Sequence, residues 1–347
     1  MKQRLAIFAS ITLALVAVPA AVRGATDEPI TPAVQSAIDR GLERLAATQG
    51  STGAWQSANG VSPAITGLAI MSFLARGHVP GQGPYGDHLN RGVDALLGMQ
   101  QESGLIASPR QIQTMYDHGI ASIALCEVYG MLDDARQKRA HEAIAKAVRV
   151  IIDAQRVRKE PRHQGGWRYT PTTTESDLSV TGWQLMALRG AANCGAAVPR
   201  QAITDGMSYI KRRSVPGGGF SYVGNTNPNV ARTATGVLCL ELLGEHHSKE
   251  SLEGGDFLMR NPVTDDRFGE FFYYGAYYAA QAANQLGGKY YDQILPPLRD
   301  ALLQRQRSNG AWPAPGGLEQ SGGEAYATSM AILALAVQYR YLPIYQR

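Results

Sequence analysis

One short pattern, Gln-x-x-x-Gly-x-Trp, occurs near both ends of the 347-residue chain, at residues 49–55 and again at residues 306–312. Related loops between these two keep a glycine and an apolar or aromatic residue, and they lie at residues 100–106, 164–167 and 217–220. Because the pattern returns at intervals of roughly 50 residues, it indicates a fold built from repeated units.

Each loop of this kind is preceded by an amphipathic segment. In residues 38–49 the apolar side chains Ile38, Leu42 and Leu45 recur at helical spacing, with charged residues on the other faces. Such spacing predicts a helix with one buried face. The same pattern occurs at residues 89–100, 144–155, 203–213, 252–260 and 298–306, which gives six half-exposed helices.

Each loop is followed by a segment of a different character, small and apolar on nearly every face. These segments span residues 64–75, 118–129, 180–189, 233–243, 274–285 and 327–339. Helices that are apolar all round are buried, and segments of this length are too short to cross a bilayer. Most begin with a threonine followed by a small residue, such as Thr66 and Gly67, and a threonine there can satisfy free backbone donors.

Six outer and six inner helices in alternation predict an all-α protein, a single (α/α)6 toroid over residues 26–347. An open solenoid is the alternative architecture. The toroid is favoured because the sixth unit repeats the first motif most faithfully, whereas open arrays end in atypical polar caps.

The first 25 residues resemble a secretory signal peptide. Lys2 and Arg4 precede an apolar run at residues 5–18, and small residues follow with an expected cleavage site between Ala20 and Ala25. We therefore expect an exported protein, periplasmic or extracellular, with no transmembrane span in the mature chain. An uncleaved membrane anchor is the alternative, and peripheral membrane contact is compatible with either.

The charge and cysteine content exclude several classes of partner. Of 33 lysines and arginines, three lie in the first 25 residues, so 30 basic residues face 29 acidic ones in the remainder. This balance predicts no nucleic-acid partner. Cys126, Cys194 and Cys239 have no paired spacing, so neither a disulfide framework nor a zinc site is predicted. We expect no metal and no cofactor.

The Gln-x-x-x-Gly-x-Trp motif, its place between an outer and an inner helix, and the sixfold count resemble the repeats of squalene-hopene cyclases and protein prenyltransferase β subunits. The resemblance covers roughly residues 33–346 and implies an α/α toroid around a central cavity. It says less about chemistry, because one fold hosts several functions. The Asp-x-Cys zinc pair of the prenyltransferases has no counterpart in residues 227–235.

The loops just before the inner helices should surround one mouth of that cavity, where helix dipoles are positive. The third loop is the richest in polar residues. By resemblance to the Asp-x-Asp-Asp motif of class II terpene cyclases, Asp177 matches the central proton donor and Glu175 the first acid, while Leu178 departs from the motif. The alternative is that Asp177 caps the third inner helix and Glu175 is solvated.

Further residues are candidates for contact with a ligand. Asp117 and His118 could form an acid–base pair, or Asp117 could cap a helix while His118 fills a threonine-like place. Aromatic residues crowd the start of the fifth inner helix, where they line the cavity or pack the core. The predicted ligand-binding residues are His118, Trp167, Tyr169, Thr181, Trp183, Thr235, Tyr273, Tyr274, Trp312 and Tyr326.

These features predict a toroid that holds an apolar small molecule, such as an isoprenoid, in its central cavity, with catalysis left open. Three alternatives remain. The first is a class II terpene cyclase or mutase, an isomerase that uses Asp177. The second is a polysaccharide lyase or glycoside hydrolase acting on a glycan, and the third is a structural or partner-binding toroid.

Overall fold

A computed structural model describes residues 30–109, 111–224, 226–264, 271–313 and 317–346. The segment predicted to be a signal peptide, residues 1–25, lies outside the described residues, so its cleavage stays a prediction. In the described part of the chain, no helix is both long and apolar enough to cross a membrane.

Twelve α-helices occur in the described residues, and outer and inner helices alternate along the chain as predicted. The outer helices are α1 (Pro32–Thr48), α3 (Gly86–Gly98), α5 (Asp134–Arg156), α7 (Arg200–Lys211), α9 (Lys249–Arg260) and α11 (Gly288–Arg305). The inner helices are α2 (Pro63–Ala75), α4 (Thr114–Val128), α6 (Leu178–Asn193), α8 (Val230–Leu242), α10 (Phe272–Leu286) and α12 (Gly323–Leu335). A short antiparallel hairpin, β1 (Gln56–Ser57) and β2 (Gly60–Val61), precedes α2.

The inner helices form a closed ring. Each packs against the next in the order α2, α4, α6, α8, α10 and α12, and α12 packs back against α2. The outer helix α1 likewise contacts both α11 and α12. The predicted (α/α)6 toroid is therefore confirmed, and the open solenoid is wrong. Every residue of α2 is buried, as expected for a helix that is apolar on all faces.

The glutamine of each motif ties its own loop to the next outer helix. Gln49 Nε2 donates to the carbonyl of Gly53 at 2.7 Å and to that of His88 in α3 at 2.8 Å. The same two bonds run from Gln100 to Gly104 and Ala143, from Gln155 to Gly165 and Ala202, and from Gln306 to Gly310 and Ala37. Since Ala37 belongs to α1, the last amide crosses the seam of the ring. In the third unit this glutamine is Gln155, near the end of α5.

The glycine and tryptophan of the motif are required by close packing. Gly53 has a φ of +84°, and a Cβ there would lie 2.4 Å from the carbonyl oxygen of Arg91 in α3. Only glycine meets both conditions. Trp55 is buried and its Nε1 donates to the carbonyl of Leu45 at 2.7 Å, which ties the loop to α1.

The C-terminal ends of the inner helices are covered by residues 342–346, which we call the C-terminal plug. The N–H of Ile344 donates to both carboxylate oxygens of Glu127 in α4, at 3.1 and 3.2 Å. Arg189 in α6 donates to the carbonyl oxygens of Ile344 and Gln346. Gln285 in α10 donates to the carbonyl of Tyr345 at 2.7 Å, so three inner helices hold the plug.

Candidate functional site

The starts of the six inner helices surround a cavity of about 560 Å³ at the other end of the ring. Deep in this cavity the wall is apolar, and it is formed by Ile65 and Leu68 of α2, Ile120 of α4, Trp183 of α6 and Met330 of α12. The loops and helix starts around the mouth contribute mostly polar lining residues, which are Ser57, Asn59, Ser62, Ser108, Gln111, Gln113, Asn229, Arg232 and Ser321. The cavity therefore has an apolar floor and a polar rim.

Four of the predicted ligand-binding residues line this cavity: Tyr169, Trp183, Tyr274 and Tyr326. The indole of Trp183 stacks on Tyr277, with ring centroids 5.8 Å apart and planes 7° apart. Its Nε1 is buried and has no hydrogen-bond partner among the described residues.

His118 lies outside the cavity lining. Its Nδ1 accepts the N–H of Ile106 at 3.0 Å, and its Nε2 faces the carbonyl of Ala147 at 3.1 Å. Burial lowers the pKa of His118 to about 4, so the ring is neutral and Nε2 carries the proton. The hydroxyls of Thr66, Thr181, Thr233 and Thr328 accept the equivalent loop N–H groups in other repeats. His118 therefore occupies the threonine-like place.

The remaining predicted ligand contacts also lie outside the cavity lining. Thr181 belongs to the threonine set just described, and Thr235 donates to the carbonyl of Ala231 at 2.9 Å. In that repeat Thr233, two residues earlier, binds the loop. Trp167, Trp312 and Tyr273 donate to the carbonyls of Ile151, Leu302 and Pro313, each at 2.7 Å. These bonds join loops and helices to one another.

Asp177 caps α6. Its Oδ1 accepts the N–H of Val180 at 2.9 Å, and its Oδ2 lies 3.6 Å from Nε of Arg168. Burial raises the pKa of Asp177 to about 6, opposed by the Val180 N–H and the guanidinium. Glu175 is about half exposed and pairs with the same arginine. Both carboxylates therefore pair with the guanidinium of Arg168, and neither is part of the cavity lining.

Asp117 is a buried acid in the cavity wall. It lies within α4 but caps α2, because its Oδ1 accepts from Ser62 Oγ and from the Ala64 N–H, both at 3.2 Å. Its Oδ2 accepts the N–H of Ser108 at 3.1 Å. Burial raises its pKa and these hydrogen bonds oppose the shift. The sequence predicted that Asp117 caps a helix, and it does. The helix that it caps is the neighbouring α2 and not α4, to which Asp117 belongs.

Glu319 is a second buried acid in the same wall, and the sequence analysis missed it. It accepts the N–H groups of Tyr273 at 3.2 Å and Tyr274 at 2.9 Å at the start of α10. The hydroxyl of Tyr326 donates to it at 3.1 Å, and burial raises the pKa of its carboxyl. Its position as an acidic residue in the loop before the sixth inner helix is the sequence signal that could have identified it.

Two lining tyrosines were also missed. Tyr116 of α4 lines the cavity, and Tyr222 does so from the loop before α8. The hydroxyls of Tyr169 and Tyr222 lie 2.7 Å apart, and Arg168 and Arg232 sit over the Tyr222 ring at 5.6 and 5.1 Å. Among the described residues, no group of three or more histidine, cysteine or acidic side chains is arranged to hold a metal ion.

No family model matches the sequence, and no curated protein matches it. Solved structures do. An α-1,6-mannanase variant from a Salegentibacter species, in complex with α-1,6-mannotriose, aligns with a TM-score of 0.61 at 10% identity, over 89% of this chain and 99% of that one. A type II terpene cyclase from Scytonema aligns with a TM-score of 0.53 at 14% identity, over 89% of this chain and 99% of that one.

Protein geranylgeranyltransferase-I from Candida albicans, complexed with GGPP, aligns with a TM-score of 0.52 at 10% identity, over 86% of this chain and 90% of that one. These three proteins have different activities. At sequence identities this low, the structural similarity shows a common fold and nothing about activity. The chain has the α/α toroid fold that is also found in terpene cyclases, protein prenyltransferases and an α-1,6-mannanase.

Proposed function

We propose that the central cavity binds an elongated apolar ligand, such as an isoprenoid, with its polar end at the rim. The observation that carries this proposal is the apolar floor of a cavity of about 560 Å³, within the range of roughly 300 to 1,000 Å³ typical of small-molecule sites.

A cavity-filling variant tests this binding. Ala64 is the second residue of α2 and lines the cavity, so Ala64→Phe should occupy ligand space. Ala135 is the second residue of α5 and is exposed, which makes Ala135→Phe a matched control. We expect the affinity for geranylgeraniol, measured by equilibrium dialysis, to fall about tenfold or more in Ala64→Phe and to be unchanged in Ala135→Phe. Failure of the wild-type protein to bind any polyprenyl alcohol would contradict the proposal.

Glycan processing is a second candidate, favoured by one observation. Asp117 and Glu319 both line the cavity, beside aromatic rings on which a sugar can stack, and burial raises the pKa of both carboxyls. A raised pKa suits a general acid, and glycoside hydrolysis uses a pair of carboxyl groups. Dialysis with α-1,6-mannotriose in place of geranylgeraniol separates the two candidates. Release of reducing ends that is lost in Asp117→Asn and in Glu319→Gln would favour the glycan.

Proton-initiated cyclisation through Asp177 would need its carboxyl, which is fully buried and not part of the cavity lining, to reach the cavity. Conversion of squalene or a shorter polyprene, lost in Asp177→Asn and retained in Glu175→Gln, would support the cyclase. Absence of cyclic product from every isoprenoid tried would exclude it.

We further propose that the protein is exported, which N-terminal sequencing of the mature chain tests directly. A protein that binds none of these ligands would be a structural or partner-binding toroid.

A further inference from the structure

Two cysteines meet at the end of the ring opposite the cavity. Cys126 lies near the end of α4, and Cys194 directly follows α6. The Sγ of Cys194 is 3.2 Å from the carbonyl oxygen of Cys126. A Cβ added at Gly190 would lie 3.1 Å from Cβ of Cys126 and 3.6 Å from its Sγ. Because Cys194 follows Gly190 by one helical turn, both thiols lie in the same gap between α4 and α6.

The two thiols differ in exposure and acidity. Cys126 is buried, whereas Cys194 is partly exposed to solvent. A hydrogen bond between them raises the pKa of the Cys126 thiol and lowers that of Cys194. The thiolate is the reactive form of cysteine, so Cys194 is the group that an external reagent would meet first.

We propose that Cys126 and Cys194 are a dithiol that is oxidised to a disulfide joining α4 to α6. The oxidant is a small or protein disulfide. The Cys194 thiolate attacks one oxidant sulfur, the oxidant S–S bond breaks, and the departing thiolate takes up the proton that Cys194 lost. Cys126 then loses its proton and attacks Sγ of Cys194, which releases the second oxidant thiol. The protein loses two protons and two electrons, and the oxidant gains them.

The disulfide would join two of the three inner helices that hold the C-terminal plug. Glu127, which holds the N–H of Ile344, directly follows Cys126, and Arg189 on α6 holds the carbonyls of Ile344 and Gln346. Oxidation would therefore connect both anchors covalently at the closed end of the ring. It would also close a long loop in the unfolded chain, which raises stability.

Thiol counting on the folded protein tests the proposal. The chain has three cysteines, so after incubation with oxidised glutathione and denaturation we expect one titratable thiol, that of Cys239. Cys126→Ser should instead retain one glutathione on Cys194, detected as a mixed disulfide by peptide mass spectrometry. Cys194→Ser should carry no glutathione and keep both remaining thiols free.

Cys239→Ser is the control, since Cys239 is buried in α8, and it should leave no titratable thiol after oxidation. Helical circular dichroism checks that each variant is folded. The oxidised wild-type protein should also unfold at a higher temperature than the reduced protein. Three free thiols after oxidation, or glutathione that stays on Cys194 in the wild-type chain, would overturn the proposal.

Discussion

At the scale of single residues, the clearest finding is that a histidine accepts the loop hydrogen bond that a threonine accepts in other repeats. His118 accepts the N–H of Ile106 as Thr66 accepts that of Trp55, and it adds a bond to the carbonyl of Ala147 that a threonine hydroxyl is too short to make. Its ring is neutral and fully buried. These contacts assign His118 to the joint between a loop and an inner helix.

Substitution of His118 should therefore cost stability and spare the cavity. His118→Ala leaves the buried N–H of Ile106 unpaired, at about 1 to 3 kcal/mol, whereas His118→Thr restores an acceptor for it and should cost less. Urea denaturation measures both. A His118→Ala protein of wild-type stability that has lost its ligand would instead make His118 a binding residue.

The same residue predicts a pH dependence. The pKa of His118 is lowered to about 4 in the folded chain from 6.5, so its contribution to stability is present above pH 6.5 and is lost as the pH falls towards 4. The wild-type protein should therefore lose stability relative to His118→Thr over this window. An equal loss in both proteins would contradict the assignment.

At the scale of elements, the motif loop is the unit that positions each pair of helices. Trp312 is fully buried, its Nε1 donates to the carbonyl of Leu302 in α11, and its ring packs where a Cβ on Gly41 of α1 would lie 2.8 Å away. One indole thus fills the space between two outer helices and an inner one.

Trp312→Ala should lower the free energy of unfolding by about 3 to 5 kcal/mol, the range for large-to-small changes at buried aromatic residues. Tyr341→Ala is a control, because that side chain is half exposed and its removal should cost little. Chemical denaturation of the two variants gives the comparison. Equal, near-neutral values would contradict the role of the motif.

At the scale of the whole molecule, closure makes the last repeat equivalent to the first. Gln306 spans the seam to Ala37 with the same pair of bonds that Gln49 makes to Gly53 and His88. In a closed ring, Gln306→Ala and Gln49→Ala should therefore destabilise the protein by similar amounts, about 1 to 3 kcal/mol by urea denaturation. A near-zero effect of Gln306→Ala alone would indicate an open seam.

The closed end of the ring adds a second pH dependence. Burial raises the pKa of Glu127 to about 8 from 4.5, so the folded chain holds a proton that the unfolded chain releases between these values. Stability from this group falls as the pH rises through the window, by up to about 1.4 kcal/mol for each pH unit. Glu127→Gln lacks this slope. The free energy of unfolding of the wild-type protein, relative to that of Glu127→Gln, should therefore decrease from about pH 5.5 to about pH 8.

The amino-acid sequence alone predicted the helices, their alternation and the ring, because helical periodicity and the Gln-x-x-x-Gly-x-Trp loop are local properties that recur along the chain. It also indicated that loops before inner helices line a cavity, which led to Tyr169, Trp183, Tyr274 and Tyr326. Local patterns carry this information because each element is chosen by its own residues.

The direction in which each side chain points, and the contacts between distant residues, depend on how the helices pack. A shift of two positions on a helix turns a side chain to another face, which is why Thr233 and not Thr235 binds the loop. Asp117 caps a helix more than 50 residues earlier in the chain. Cys126 and Cys194, 68 residues apart, come together because neighbouring inner helices pack in the ring, and no spacing along the chain encodes that contact.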